Sequence, residues 1–501
     1  MTNDKFNADG VMLDLRIDNA AIIAMDGPRR ELRRGSIAVN EGKIVSIEET
    51  GFFGKNLVPQ GRLPSAKKVI NAQGQVALPG LINCHTHVYQ ALIEGIGYDM
   101  HFDPWNWRFN FPISSHIGPE HAEIGAQIAA LEMIKSGTTT VSDHWYLHTD
   151  FDNIHRVARV FRDAGMRHHV VYGLLDQSFA GEHVAYEDMA MIRREDELIE
   201  AAHVFIDRWH QKGRTVVALG PGSTEDISDR LMDKTIEMAR EQGLQLATHV
   251  AGWAEIVSRS LKHYAMRDLE HVHEIGLTGP GSILIHAVWL SPREIQLVAE
   301  TDCRIAHCPV ANAHLGYGAA PVPELRALGV TVGLGTDGAA SYTYDLFEVM
   351  KMAAMLQKAR HLDAEVLTAE DVLEMATLDG ARVLGLESRV GSLEPGKRAD
   401  IILVDFYQPH LMLDHQIVSK LIYSARGHDV VTTIVDGQVV MENRQVLTMD
   451  ETAVLDRARD ATADLVSRAG IETRDLLNAG WPEQGPRWRK AVTPEWFETV
   501  S

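Results

Sequence analysis

From Leu13 to Ile70 apolar and polar positions alternate in short runs, "LRIDNAAIIAM" and then "GSIAVNEGKIVSIEE", with Asn40-Glu41-Gly42-Lys43 between strands as a hairpin turn. The same texture returns late in the chain, in "GSLEPGKRADIILVDF" and "VTTIVDGQVVMENRQV", where Asp436-Gly437 is a second hairpin signal. Two β-rich stretches on either side of a long middle predict one composite β-sandwich domain built from both ends, residues 1–78 with 387–450.

Over residues 79–386 the period changes. In "AEIGAQIAALEMIKSG" the apolar residues Ile124, Ile128, Leu131 and Ile134 keep helical spacing, Gly137 ends the helix, and the β-rich "TTTVSD" follows. The cycle repeats through "NIHRVARVFRDAG" and "MRHHVVYGL", then "SDRLMDKTIEMAREQG" and "LQLATHV". In "SPREIQLVAETD", Ser291, Pro292 and Glu294 read as a capping box with proline at the first helical position. Strand and helix alternating over this length predict an α/β fold, a (β/α)8 TIM barrel in which catalytic groups stand at the C-terminal ends of the strands. Residues 451–501 are expected to form a C-terminal helical extension, helical in "AVLDRARDATADLVSRAG" and without clear period in "WPEQGPRWRKAVTPEWFETVS", packed on the body or on a neighbouring subunit.

Composition narrows the partners. The 501 residues are 45% hydrophobic and 23% charged, ordinary for a globular protein. A formal net charge of −21 spread along the chain repels nucleic acid and anionic membrane surfaces, so neither is expected as a partner. Only Cys84, Cys303 and Cys308 are present, which argues against a disulfide scaffold and suits a reducing compartment. "MTNDKFNADG" does not read as a secretory leader, and no apolar run reaches the roughly 18 to 20 residues that cross a bilayer, so a soluble cytoplasmic protein is expected.

Candidate chemistry begins at "LPGLINCHTHVYQAL". On a strand, His85 and His87 point the same way and their imidazoles can converge on one object. Alone the pair is weak, because 24 histidines in the chain will produce such a spacing by chance. The barrel's placement rule adds His249 at the end of "LQLATHV", His286 near the end of "SILIHAV" and Asp337 at the end of "VTVGLGTDG". Singly, His249 and His286 would read as hydrogen-bonded structural histidines and Asp337-Gly338 as turn chemistry. Together, on successive strand ends, they make a donor set for a divalent metal with a position left for water.

These stretches, with "GTTTVSD", "AHCPVANAHLGYGAAPVPEL", "GVTVGLGTDGA" and "GSLEPGKRADIILVD", resemble the amidohydrolase superfamily along essentially the whole chain, in the branch of adenosine-derivative and guanine deaminases, triazine hydrolases and phenylurea or thiocarbamate hydrolases. The resemblance implies one divalent metal ion, zinc first, with iron or cobalt fitting the same ligands, held by His85, His87, His249 and Asp337, with His286 ligating it or holding its water. It further implies a metal-activated water, Asp337 as the group that takes its proton and passes it to the leaving group, and His286 as the group that orients the nucleophile and the developing oxyanion. Relatives are commonly homodimers or larger homo-oligomers acting on small molecules.

One departure bears on substrate. Deaminases of this branch carry a glutamate three residues after the strand-five histidine, where "THVAGWAEIV" has Gly252, and glycine cannot shuttle a proton. Glu255 is a possible alternative acid, although at a helix start it also reads as a first-turn dipole partner. The expected substrate is therefore a small, largely apolar amide, urea or thiocarbamate, in keeping with xenobiotic degradation. The alternative is a deaminase or dechlorinase of an N-heteroaromatic ring, and the remote alternative is a non-catalytic scaffold, against which stand the five filled site positions. Tyr89, Trp105, Trp107, His144, Trp145, Gly252, Trp289, Asn312 and His314 are the expected pocket lining, an aromatic-rich wall suited to a flat substrate.

Overall fold

The computed structural model describes residues 12–50, 64–177, 190–412 and 415–471, so "WPEQGPRWRKAVTPEWFETVS" of the expected C-terminal extension lies outside the described residues. Strands from both ends of the chain share one nine-stranded sheet. The junction is antiparallel, Ile401–Asp405 against Gln75–Pro79, with Ile402 opposite Leu78 and Leu403 opposite Ala77. On the N-terminal side Leu13–Ile23 pairs with Glu31–Asn40, which turns through Glu41 and Gly42 into Lys43–Glu49. Leu15, Ile17, Ile22, Ile37 and Val39 from the beginning bury against Leu393, Ile401, Leu403 and Ile434 from the end, a core separate from that of the central domain. Strands from the two ends thus form one continuous hydrogen-bonded sheet among the described residues. The two β-rich ends satisfy their backbone groups by pairing edge to edge at this junction.

The middle of the chain supplies eight parallel strands: β1 (Leu81–Thr86), β2 (Thr138–Trp145), β3 (Arg167–Leu174), β4 (Thr215–Pro221), β5 (Ala247–Val250), β6 (Ile283–His286), β7 (Arg304–His307) and β8 (Val332–Leu334). They form two four-stranded sheets, β1 to β4 and β5 to β8. At the two seams the sheets meet through single parallel bridges, Thr86 to Asp337 and Leu219 to Leu246. Among the described residues the ladder around the barrel is interrupted at these two seams. At the first seam the chain leaves regular strand geometry to aim site residues: Asp337 has φ 65° and its N–H donates to the His85 carbonyl at 3.0 Å.

Helices separate the strands: α1 (Pro119–Lys135), α2 (Asp152–Ala164), α3 (Glu195–Trp209), α4 (Asp229–Gln242), α5 (Ala254–Tyr264), α6 (Asp268–Glu274) and α7 (Pro292–Glu300). The capping box at α7 forms as expected, Ser291 Oγ accepting from Glu294 N at 3.3 Å and Glu294 Oε2 from Ser291 N at 2.7 Å. After α1, Gly137 sits at φ 87°, and a Cβ there would lie 2.9 Å from Ile402 Cδ1, so this glycine lets the central domain approach the sheet closely. A buried ion-pair network also joins the two units: Arg167, at the start of β3, contacts Asp400 at 2.7 and 2.9 Å and Asp436 at 3.0 Å. The last described helix, Glu451–Arg468, packs on α1, with Lys135 Nζ 2.7 Å from Glu451. Among the described residues no helix is long and apolar enough to cross a membrane.

Candidate metal centre

β1 is buried along its length, and its last residues carry His85, with His87 just beyond. Their Nε2 atoms lie 3.5 and 3.6 Å from Asp337 Oδ1. His249 in β5 brings its Nε2 to 3.2 Å from His85 Nε2, and His286 at the end of β6 brings its Nε2 to 3.8 Å from Asp337 Oδ2. The five residues placed by the strand-end rule therefore converge on one point.

The outer ring nitrogens explain why the inner ones face the centre. His87 Nδ1 donates to the His144 carbonyl at 2.8 Å, His249 Nδ1 to the Gly222 carbonyl at 2.5 Å, and His286 Nδ1 to Asn312 Oδ1 at 2.9 Å. Each of these bonds fixes the tautomer with a bare Nε2 lone pair. Burial lowers the His85 pKa to about 4 and holds those of His249 and His286 below the ordinary value, so these rings are neutral at pH 7. Burial alone would raise the Asp337 carboxyl; a hydrogen bond from His85 and positive charge at His286, His85 and His87 hold it well below the usual carboxylate range, a charge that a bound cation supplies when the rings are neutral. Lone pairs of neutral imidazoles and one ionised carboxylate crowd together here, an arrangement that a divalent cation relieves. The donor set fits the implied metal.

Backbone geometry at the centre is special. Both Asp337 and His286 are non-glycine residues with positive φ, 65° and 69°. The Asp337 conformation is held by Thr86 Oγ1, which donates to its carbonyl at 2.7 Å. A Cβ on the next residue, Gly338, would fall 1.9 Å from Gln90 Oε1, so glycine is required for Gln90 to reach in and accept from Ala339 N at 2.9 Å.

A pocket opens over this centre, and Trp105 and Trp107 line it as expected. The other expected lining residues fall elsewhere. Trp145 is fully buried with its Nε1 donating to the Leu147 carbonyl, and Tyr89 is buried and reaches the pocket through a 2.9 Å bond to the Tyr146 hydroxyl. His144 is buried with its ring stacked on His249 at 5.3 Å, and one of its ring nitrogens lies within 4.8 Å of ligand atoms of His85 and His249. Asn312 is buried and serves as the partner of His286. Trp289 is 46% exposed and donates to the Tyr317 carbonyl, while His314 is exposed and packs against Tyr342. Gly252 lies against the His286 ring: a Cβ there would sit 3.2 Å from His286 Cδ2. Glu255 is exposed in the first turn of α5 and does not line the pocket.

Sequence reasoning missed the residues that fill those places. Trp253 and Tyr317 stack with ring centroids 5.5 Å apart, and Phe102 packs 4.6 Å from Trp253. At the mouth Arg259 bridges Glu225 at 2.6 and 3.0 Å and Asp103 at 3.0 Å. Ser223, Glu225 and Asp226 come from "PGSTEDIS" at the C-terminal end of β4. The placement rule points to that strand end, and the acidic pair there was the available signal.

The match with known proteins follows the same outline. The model of the amidohydrolase family matches residues 76–440. A 5'-deoxyadenosine deaminase from Methanosarcina acetivorans is 35% identical over 461 residues, covering 91% of this chain and all (100%) of the relative. A 5-methylthioadenosine/S-adenosylhomocysteine deaminase from Desulforudis audaxviator is 37% identical over 458 residues, covering 90% and 99%. Among solved structures, an adenosine deaminase from Xanthomonas campestris with bound zinc superposes with a TM-score of 0.83 at 28% identity, covering 91% of this chain and 99% of that one. The atrazine chlorohydrolase of Arthrobacter aurescens in complex with zinc and atraton, an E241Q mutant, gives 0.80 at 25% identity, covering 89% and 100%. Likeness of this extent, converging with a buried donor set for a divalent cation, makes the chain a member of the amidohydrolase family, an enzyme that hydrolyses carbon–nitrogen bonds.

Proposed function

We propose that the enzyme deaminates an amino-substituted N-heteroaromatic ring, an adenosine derivative, releasing ammonia and leaving a ring carbonyl. The observation that carries this reading is the aromatic wall beside the centre. Trp253 and Tyr317 stack in near-parallel planes, 22° apart, and Tyr317 meets His286 edge-on at 5.8 Å, so a flat ring sliding along the wall is delivered to the donor set. The names of the relatives, deaminases of 5'-deoxyadenosine and 5-methylthioadenosine, support the same class.

The open amide, urea or thiocarbamate reading rested on Gly252 in place of a proton-shuttling glutamate, and empty space beside it would favour a bulky substrate of that kind. That space is occupied by the His286 ring, and the ring-deaminase alternative moves ahead. Gly252 remains the observation in favour of the second reading, while the relatives named above are deaminases of adenosine derivatives, which does not support a role in xenobiotic degradation.

A divalent metal bound by His85, His87, His249 and Asp337, zinc by analogy with the Xanthomonas adenosine deaminase, supplies a Lewis acid that makes water nucleophilic at neutral pH. Asp337, ionised and 3.8 Å from His286, accepts the proton of the attacking water and passes it to the departing nitrogen. With its Nδ1 proton committed to Asn312, neutral His286 presents a lone pair at Nε2. It orients the attacking water by accepting a hydrogen bond, and it stabilises developing negative charge only after taking up a proton.

Product analysis on zinc-loaded protein tests the reading. Ammonia and a 6-oxo purine are expected from adenosine, 5'-deoxyadenosine or 5-methylthioadenosine. Release of an alkyl or aryl amine from ureas and thiocarbamates, with the purines untouched, would overturn it.

A further inference from the structure

Expelling ammonia from a ring carbon requires a proton on the ring nitrogen beside it, because addition of oxygen otherwise leaves a localised anion there. Gly252 has no proton to give and Glu255 is exposed outside the pocket. Resting on the ring-deaminase reading above, we propose that Asp226, on the turn after β4, is the acid that protonates the substrate's ring nitrogen.

The geometry singles out this carboxyl. Asp226 lines the same pocket as His87, His249, His286 and Asp337. A Cβ on Gly222 would lie 2.8 Å from Asp226 Oδ2 and 3.8 Å from Tyr146 Cδ1, so the absent side chain of Gly222 leaves the Asp226 carboxyl and the Tyr146 ring facing one another over bare backbone. That backbone also seats a ligand, since the Gly222 carbonyl accepts from both His249 N at 3.1 Å and His249 Nδ1 at 2.5 Å. The turn is fixed by Ser223 Oγ, which donates to Asp226 Oδ2 at 2.9 Å, and by the Asp226 carbonyl, which accepts from Asp176 N at 3.2 Å.

The other acids of the pocket are committed. Arg259 clamps Glu225 through two bonds and Asp103 through one. Asp337 is the ionised base, and burial holds the Tyr146 hydroxyl well above its ordinary pKa, so it does not release a proton readily. Asp226 has no ion-pair partner among the described residues. Groups facing it pull both ways: Ser223 and the charge of Arg259 favour its ionised form, while the neighbouring Glu225 carboxylate disfavours it. The Asp176 carboxylate is engaged by Ser228. Burial outweighs these, pushing Asp226 up to about 7, where a carboxylic acid is still available to donate at neutral pH.

The step balances. As the water oxygen bonds to the ring carbon, one water proton goes to Asp337, the Asp226 O–H bond breaks, and a ring N–H forms. The exocyclic nitrogen then takes the proton from Asp337 and leaves as ammonia. The carbonyl forms with loss of the added hydroxyl's proton to solvent, from which Asp226 is reprotonated.

The test has two arms. With 5'-deoxyadenosine, Asp226→Asn is expected to lower kcat by about 100-fold or more and to abolish the wild-type fall in kcat above pH 7, with metal content unchanged and Asp226→Glu recovering part of the rate. Retention of more than about a tenth of kcat with an unaltered pH profile would overturn the proposal. In the second arm, metal-free protein is titrated calorimetrically at pH 6 with 5'-deoxyadenosine and its 1-deaza analogue, which lacks the ring nitrogen. Wild type is expected to favour the parent about tenfold, and Asp226→Ala to erase the preference, as loss of one hydrogen bond to a buried partner implies. Equal binding by wild type would overturn the proposal. Should wild type release no ammonia from any purine, the ring-deaminase reading fails, and the second arm still decides whether Asp226 meets a ring nitrogen.

Discussion

The ligand imidazoles are aimed by single atoms behind them, and the bond from His286 to Asn312 is the one most open to test. Asn312→Leu keeps the volume and removes the acceptor at 2.9 Å, freeing the His286 tautomer. We expect kcat to fall about 10- to 100-fold while bound metal, measured by plasma mass spectrometry, stays near one equivalent. Asp226 also leaves a mark on stability. Its pKa is raised from 3.8 in the free residue to about 7 in the folded chain, so the unfolded chain ionises first and the fold loses stability as pH rises through that interval. Asp226→Asn is therefore expected to raise the melting temperature at pH 8 and to leave it nearly unchanged at pH 3; an equal shift at both would contradict the assignment. His85 and His87 were legible because a two-residue repeat on a strand dictates a shared side, whereas Glu225 and Asp226 are adjacent acids that only Arg259, on a distant helix, tells apart.

At the scale of elements, the loops after the strands are held to one another. Asp268, the first residue of α6, accepts from Ala251 N at 2.6 Å in the loop after β5 and from Thr224 Oγ1 at 3.3 Å in the loop after β4. Ala251 has φ 46° and leads directly to Gly252, so this buried carboxyl sets the backbone between His249 and the aromatic wall. Asp268→Ala strands a buried N–H and should cost about 1–3 kcal/mol in urea unfolding. The alternation of strand and helix, the Gly137 stop and the α7 capping box were all visible in the sequence, because each depends on a few consecutive residues. How the strands of the two ends pair was not legible, for the opposite reason. Whether two β-rich segments pair edge to edge depends on Leu78 meeting Ile402, far apart in the chain.

For the whole molecule, Arg167 is the tie between the central strands and the composite sheet. It is 3% exposed and sits between Asp400 and Asp436, the latter also held by Arg214 and Arg398. Arg167 opens β3, so this network lies at the strand end opposite the metal centre, where changes affect stability rather than chemistry. Arg167→Met leaves Asp400 buried without its partner and should cost about 3–5 kcal/mol in guanidinium unfolding, with metal stoichiometry kept in the folded fraction.

The sequence by itself determined the elements, the strand ends that carry chemistry and the five residues of the centre, since backbone periodicity confines each of these to a short window. Tertiary structure alone decided three matters: that the two ends join in one sheet, that the His286 ring closes the space beside Gly252, and that Asp226 rather than Glu255 faces the pocket. Each of these rests on burial and charge contributed by segments remote in the chain, which no local pattern of residues encodes.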